Sequence, residues 1–316
     1  MQFRIDLNKN TKFKYYIVNI FKLIVPDLVY RARLQTLLSE EIEDPEYIKK
    51  RVNYYNKREE EFSLAEDAAT IESFKKEKKK TYFFDLLEYL RYFDPRFKIA
   101  YLFGDIKEIP QTPSFVKSRP IDGENQNSIL MKLNKIRHFI FVDDTIPFQE
   151  KKDLLVWRGK CYIPHRIEFI KKFYNHPSCN IGQTNTRGNL DVPWQKAKMQ
   201  LKEQLGYKFV LAIEGNDVAS NLKWIMSSNS IAFMVKPTYE TWFMEGTLIP
   251  NHHYVLLKDD YSDLEEKIDY YSKNIDASLE IIKNANDYTK QFQNQKTEDI
   301  ISLMVLQKYF IKSNQL

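Results

Sequence analysis

The sequence predicts an α/β protein built on a parallel, doubly wound sheet, with a helical region ahead of it. Three observations carry that prediction. Residues 208–258 alternate short apolar runs, polar turns and helical stretches at the spacing of βαβ units. Residues 27–93 place apolar side chains at helical intervals. Glycine is absent from the first 103 residues, Gly104 being the first of only 8, which suits helices that need no left-handed backbone. The 316 residues are 43 % hydrophobic and 29 % charged, enough apolar material for a packed core. Their number fits two domains or one large α/β unit.

The elements follow in order. Leu28, Arg31, Leu34, Leu37 and Leu38 keep helical spacing, and Asp44-Pro45 opens a second helix through Tyr54. Phe83, Leu86, Leu87 and Leu90 form a third stripe that stops at Asp94-Pro95. Residues 98–103 read as a strand closed by Gly104-Asp105. Residues 137–142 read as a second strand closed by Asp143-Asp144, and 154–157 as a third closed by Arg158-Gly159. A helix at 166–174, a polar loop at 175–192 and a helix at 194–205 come next. Then follow a strand at 209–213, the loop Glu214-Gly215-Asn216-Asp217, a helix at 218–226, a strand at 231–235, a helix at 238–245 and a strand at 254–257. Helices at 262–272, 277–292 and 298–311 close the chain.

Composition and motifs exclude several classes. Neither G-x-G-x-x-G nor G-x-x-x-x-G-K-[ST] occurs, which argues against Rossmann dehydrogenases and P-loop NTPases. Cys161 and Cys179, the only cysteines, stand outside any CxxC or Cys/His cluster and read as ordinary buried thiols. The five histidines form no HExxH, and Asp143-Asp144 reads as a turn rather than a metal-binding carboxylate motif, so no metal is expected. A net charge of +5 is mild, and the basic run at 75–80 lacks interleaved aromatics, so it reads as a solvated face and not a nucleic-acid site. Residues 1–10 are polar and show no cleavable signal. The apolar stretch at 15–29 is broken by Asn19, Lys22, Pro26 and Asp27 and falls short of the ~20 residues a spanning helix needs. It reads either as a helix packed on the core or, flanked by Lys12, Lys14 and Lys22, as one lying on a membrane surface. The packed helix is the favoured reading, so the expectation is a soluble cytoplasmic protein, with peripheral membrane contact as the alternative.

In open α/β sheets ligands bind beyond the carboxyl ends of the strands. Three polar clusters fall at such ends: Gly104-Asp105, Arg158-Gly159 and Glu214-Gly215-Asn216-Asp217. The third opens into a helix whose free N–H groups suit an anion such as a diphosphate, with Lys223 and Arg158 as added cations. Each feature has a plain structural alternative: Asp105 as a turn former, Arg158 as an ion-pair partner.

The stretch from Glu214 to Ser230, followed by Met234, Lys236-Pro237, Tyr239-Glu240-Thr241-Trp242-Phe243, Gly246 and His253-Tyr254, resembles glycosyltransferase family 90. Within it, the likeness is to the bacterial LpsA-type lipopolysaccharide core enzymes, with the Rumi-type protein O-glucosyltransferases more distant. Gly104-Asp105 with Ile109-Pro110-Gln111-Thr112-Pro113 and Lys117-Ser118-Arg119-Pro120-Ile121 is similar to the family segment carrying its catalytic aspartate. Trp157-Arg158-Gly159 with Arg166 is similar to its donor motif. The likeness spans roughly residues 80–310. It departs from the Rumi-type pattern where Asn221 and Lys223 replace a phosphate-binding arginine.

The resemblance implies a GT-B fold, two Rossmann-like domains facing across a cleft, and an inverting transfer from a UDP-sugar that needs no metal or other cofactor. Its domains would be a helical region at 1–93, an acceptor-side domain at 94–150, a donor domain at 151–295 and a C-terminal helix at 296–316 packing back on the first. Asp105 becomes the general base. Arg158, Gly159, Arg166, Gly215, Asn216, Asp217, Ser220 and Lys223 become donor contacts, Glu240 a ribose contact, and Lys117 and Arg119 acceptor-side groups. The implied partners are a UDP-hexose carrying glucose or galactose, a lipopolysaccharide or lipooligosaccharide core acceptor and the cytoplasmic face of the inner membrane. A capsule or protein acceptor, or a non-catalytic protein bound at a membrane surface, are the competing readings.

Overall fold

The computed structural model describes residues 11–39, 44–75 and 80–316. Most of the basic run at 75–80 lies outside them, as do residues 1–10. The helical front comprises α1 (Thr11–Ile24), α2 (Asp27–Ser39), α3 (Pro45–Tyr55) and α4 (Lys80–Leu90). The Asp44 carboxylate accepts the Tyr47 N–H at 2.9 Å and Pro45 takes the first turn, so α3 starts where the sequence places it. Ile48, Arg51, Val52 and Tyr55 form the buried stripe of α3 at intervals of three and four.

A first sheet follows, of β1 (Tyr101–Leu102), β2 (Ser114–Val116) and β4 (Ser128–Leu130), all parallel in the order β1-β2-β4. β3 (Ser118–Pro120) leaves this sheet after a single residue, Lys117. The strand expected at 137–142 is not formed. The left-handed Asn134 and the Asp85 carboxylate, which accepts the Lys135 N–H at 2.9 Å, start a short helix α5 (Lys135–His138) instead. The apolar residues after it run as a connection whose Val142 N–H donates to the Ser227 hydroxyl at 3.0 Å, so burial was met without a ladder. Asp144 closes that connection as a clamp, pairing with Lys151 at 2.7 Å and accepting the Asn229 N–H at 2.9 Å.

The second sheet is built from β5 (Lys152–Gly159), β6 (Cys179–Gln183), β7 (Tyr207–Leu211), β8 (Ile231–Met234) and β10 (Val255–Leu256). They are all parallel, in the order β10-β8-β7-β5-β6, so by chain position the order is 2-1-3-4-5. Alternate residues of each strand face opposite layers. Leu155, Trp157, Phe209, Leu211 and Phe233 join the core under α6 (Pro164–Phe173), while Val156, Val210 and Ala232 join the core that continues into the first sheet. α9 (Leu264–Lys273) and much of α10 (Ile275–Lys290) cover the former layer; α8 (Leu222–Met226) and α11 (Gln295–Lys312) belong to the latter. The chain is therefore a mixed α/β protein with parallel sheets and helices on both faces.

Four local expectations are corrected here. The loop expected at 175–192 contains β6, whose run Cys-Asn-Ile-Gly-Gln has too few apolar residues to announce a strand. The helix expected at 194–205 shrinks to α7 (Leu201–Gln204), because 195 and 196 pair with Gln183 along the sheet edge. The helix expected at 218–226 starts only at Leu222. Residues 238–245 form no helix: β9 (Tyr239–Thr241) pairs antiparallel with β3, followed by a 3-10 turn at Glu245–Thr247.

The β3–β9 ribbon joins the two sheets, and Arg119 and Glu240 face each other across it in a fully buried ion pair at 2.8 Å. A second buried cluster ties α11 to α3. Glu298 pairs with Arg51 at 2.6 Å and Lys132 at 2.8 Å and accepts the Trp242 indole N–H at 2.8 Å, while Trp242 stacks on Tyr55 at 3.8 Å. Burial favours a protonated Glu298, but Lys132 and Arg51 overcome it and hold its carboxyl below the usual carboxylate range. Removing such an anion strands two buried cations. Glu298→Ala is expected to lower the unfolding free energy by about 3–5 kcal/mol in urea titrations, and Glu298→Gln by less. A loss under about 1 kcal/mol for the alanine variant would contradict this account.

Candidate active site at the seam between the sheets

One ammonium group organises the seam. Lys117, between β2 and β3, is 1 % exposed and pairs with Asp105 at 2.6 Å and Asp217 at 2.5 Å. Asp105 follows β1 through the turn at Gly104, whose φ of 122° few other residues adopt. Asp217 comes from the loop after β7, is buried, and accepts the Ser118 hydroxyl at 2.6 Å. The first sheet, the ribbon and the second sheet thus meet at one buried cation, which needs anionic partners to remain charged there. Asp217 is enclosed, whereas the Asp105 side chain keeps 32 % of its surface open. Burial pushes the Asp105 carboxyl up, but Lys117, Arg137 and a hydrogen bond with Asn216 outweigh it and hold it below its ordinary range. The seam therefore presents an ionised, accessible carboxylate.

Next to it lies the crevice of the second sheet. Strand order reverses between β5 and β7, and the chain leaves β5 toward α6 on one face and β7 toward α8 on the other. That is the topological switch point at which doubly wound sheets bind ligands. Arg166 of α6 spans it, donating to the carbonyls of Ile213 (2.8 Å), Glu214 (2.8 Å) and Lys160 (3.1 Å) with its guanidinium over the Trp157 ring. Gly215 sits against Arg166, where a Cβ would stand 3.4 Å from Nη2. Asn216, exposed, reaches the Asp105 carboxylate, so the loop from Glu214 to Asp217 runs from Arg166 to the seam. Ser220 is half-buried in the turn before α8. At Gly159 a Cβ would stand 2.3 Å from the Trp157 indole, which explains the glycine by packing.

Several sequence candidates turn out to be elsewhere. Lys223 is fully buried, paired with Glu245 and over the Phe243 ring, so it does not reach the crevice. Glu245 in turn accepts the Thr241 N–H at 2.6 Å, fastening the end of β9. Glu240 and Arg119 neutralise each other inside the ribbon; Arg119 also donates to the carbonyls of Tyr54 (2.7 Å) and Ser128 (3.1 Å), and Glu240 accepts from the Tyr54 hydroxyl. Both are enclosed in the ribbon with their charges paired. Arg158 stands at the end of β5, but its guanidinium turns back onto Asn180, at 2.7 Å to both the carbonyl and the side-chain oxygen. Asn180 is opposite Val156, two residues toward the amino end of the strand. The anion site expected at the start of a 218–226 helix is weakened as well, since α8 has only five residues and its field is correspondingly small.

Other groups entered the site without a sequence signal. Arg137 is exposed on α5 and acts electrostatically on Asp105, but the run around it reads as a strand. His138 is buried beside Lys117 and Lys223; burial, then those ammonium groups, hold its imidazole well below its ordinary pKa and therefore neutral. Ser118 lay within the quoted Lys117-Ser118-Arg119 run and could have been found there. Burial pushes the Cys161 thiol up to about 11 and Cys179 up to about 12, and both are free. Among the described residues, no three His, Cys, Asp or Glu side chains are placed to hold a metal ion. In the same residues, no helix is long and apolar enough to cross a membrane.

Comparison with known proteins identifies the family. The family model for glycosyl transferase family 90 matches residues 130–310, which contain the whole five-stranded sheet and the closing helices. The O-glucosyltransferase LpsA of Dichelobacter nodosus is 45 % identical over 263 residues, covering 83 % of this chain and 82 % of that protein. Asp105 and Lys117 precede the matched span of the family model, so their place in the site rests on the seam itself. The chain belongs to glycosyltransferase family 90.

Proposed function

We propose that this glycosyltransferase moves a hexosyl group from a UDP-sugar to a hydroxyl of a lipopolysaccharide or lipooligosaccharide core, inverting the anomeric carbon and using no metal. The observation that carries the reading is the half-open Asp105 carboxylate, kept ionised by Lys117 at the edge of the switch-point crevice. The D. nodosus relative is an O-glucosyltransferase, which favours glucose over galactose. In this reading the first sheet serves as the acceptor side (94–150) and the second as the donor side (151–295) of a GT-B pair. The described residues between 11 and 93 and the helix within 296–316 pack on the acceptor side. The enzyme works at the cytoplasmic face of the inner membrane.

The reaction balances without further reagents. Asp105 takes the proton of the acceptor hydroxyl as that oxygen forms its bond to the anomeric carbon. The bond from that carbon to the β-phosphate oxygen breaks, and UDP leaves with the electron pair. Arg166, Arg137 and the amides around Asn216–Ser220 face the growing negative charge, and among the described residues neither arginine pairs with a carboxylate. Arg158 contributes if its guanidinium turns from Asn180 toward the crevice. Lys117 is a positioning residue: it holds Asp105 in place and ionised.

Two outcomes follow. Asp105→Asn is expected to lower sugar transfer by about 10²–10⁴-fold while UDP still raises the melting temperature as in the wild type. Unchanged transfer would remove Asp105 from its role. Because a base works only when deprotonated, activity is present above its pKa and lost as pH falls through it. With that pKa held down, kcat/KM stays level from neutral pH to about 5 and drops only near or below the ordinary value of about 3.9. Lys117→Met is expected to move this acidic limb upward, and a wild-type limb above pH 6 would contradict the assignment.

A further inference from the structure

Half of the large apolar side chains exposed among the described residues fall between positions 13 and 29. On α1 the outward stripe is Phe13, Ile20, Phe21 and Ile24, and it continues over the bend at Pro26 to Leu28 and Val29 of α2. Phe21 is 65 % exposed, Ile24 72 % and Leu28 68 %. The side of α1 that meets the body packs Tyr15 and Tyr16 and also carries polar groups. The Tyr15 hydroxyl donates to Asp85 at 2.7 Å, Asn19 is buried, and Lys22 pairs with Glu88. A surface helix of a soluble protein normally buries its apolar stripe; α1 packs Tyr15 and Tyr16 inward yet leaves Phe13, Ile20, Phe21 and Ile24 outside. The bend is also held firmly. Arg91 pairs with Asp27, donates to the carbonyls of Lys22 (2.6 Å) and Val25, and lies over the Tyr30 ring at 4.2 Å.

Charge selects what covers this face. Besides Lys22 and Asp27, which are paired with Glu88 and Arg91, residues 11–39 contain Lys12, Lys14, Arg31 and Arg33 and no further acid. A second copy would bring two basic rims together, whereas an anionic lipid surface neutralises the rim and takes up the apolar tip. We propose that the α1–α2 bend is the membrane-docking surface of this enzyme, with Phe21, Ile24 and Leu28 inserted at the boundary between headgroups and acyl chains of an anionic leaflet. The proposal builds on the membrane-face placement above and names the surface that makes the contact.

The test is cosedimentation of the full chain with vesicles of phosphatidylglycerol and phosphatidylethanolamine, compared with vesicles of phosphatidylcholine. The wild type is expected to bind the anionic vesicles preferentially. Phe21→Ser combined with Ile24→Ser is expected to lower the bound-to-free ratio at least tenfold, and Lys12→Glu combined with Lys14→Glu to lower it as well, with melting temperatures unchanged because these side chains are exposed. Three results would overturn the proposal: no binding by the wild type, equal binding by the Phe21/Ile24 variant, or a lipid-free dimer that this variant dissolves. Transfer to a soluble acceptor, measured on the same variants, keeps this outcome separate from that of the catalytic reading.

Discussion

A buried ammonium group cannot stay charged alone, and Lys117 satisfies that constraint by drawing in carboxylates from two different parts of the chain. Asp105 arrives from the end of the first sheet and Asp217 from the loop beyond the second. The adjacent ribbon repeats the device two residues further on, with Arg119 against Glu240. Because these pairs sit where the sheets meet, the relative placement of the carboxylate and the switch-point crevice follows from them. Glu298 does the same for the helices behind, holding Arg51 and Lys132 from separate elements.

Solvent access separates scaffold from chemistry among these charges. Lys223, Arg119, Glu240 and Asp217 are enclosed and matched to opposite charges, so they hold the frame. Asp105 is matched on one side only and remains open to solvent on the other. Arg166 donates to backbone carbonyls and so shapes the loop after β7 while its positive charge stays uncompensated by an acid among the described residues. A lowered carboxylate pKa makes Asp105 a weaker base but one that is ionised at every physiological pH.

The helical front, β5, β7, β8, β10 and the three closing helices were legible because each is long enough, or apolar enough, to show a period. β2, β3 and β4 have three residues each and are mostly buried, so no alternation marks them. β9 misleads for another reason. The run Tyr239-Glu240-Thr241-Trp242-Phe243 buries its polar members through Arg119 and Glu245, so polarity there does not report exposure. The buried partners of Glu240 and Lys223, Arg119 and Glu245, lie far away in sequence and were equally hidden from it.

By itself, the sequence determined the α/β class, the strand-end positions of Gly104-Asp105, Arg158-Gly159 and Glu214–Asp217, and the likeness to family 90, because all of these are written in local spacing and wording. Which charges pair was decided only in the folded chain. Lys117 lies 100 residues from Asp217, and Arg119 is 121 from Glu240, separations over which no local pattern operates. The direction of the Arg158 side chain and the outward turn of the apolar face of α1 belong to the same class. Each depends on what the rest of the chain packs against it, and that is settled by burial and charge compensation in three dimensions.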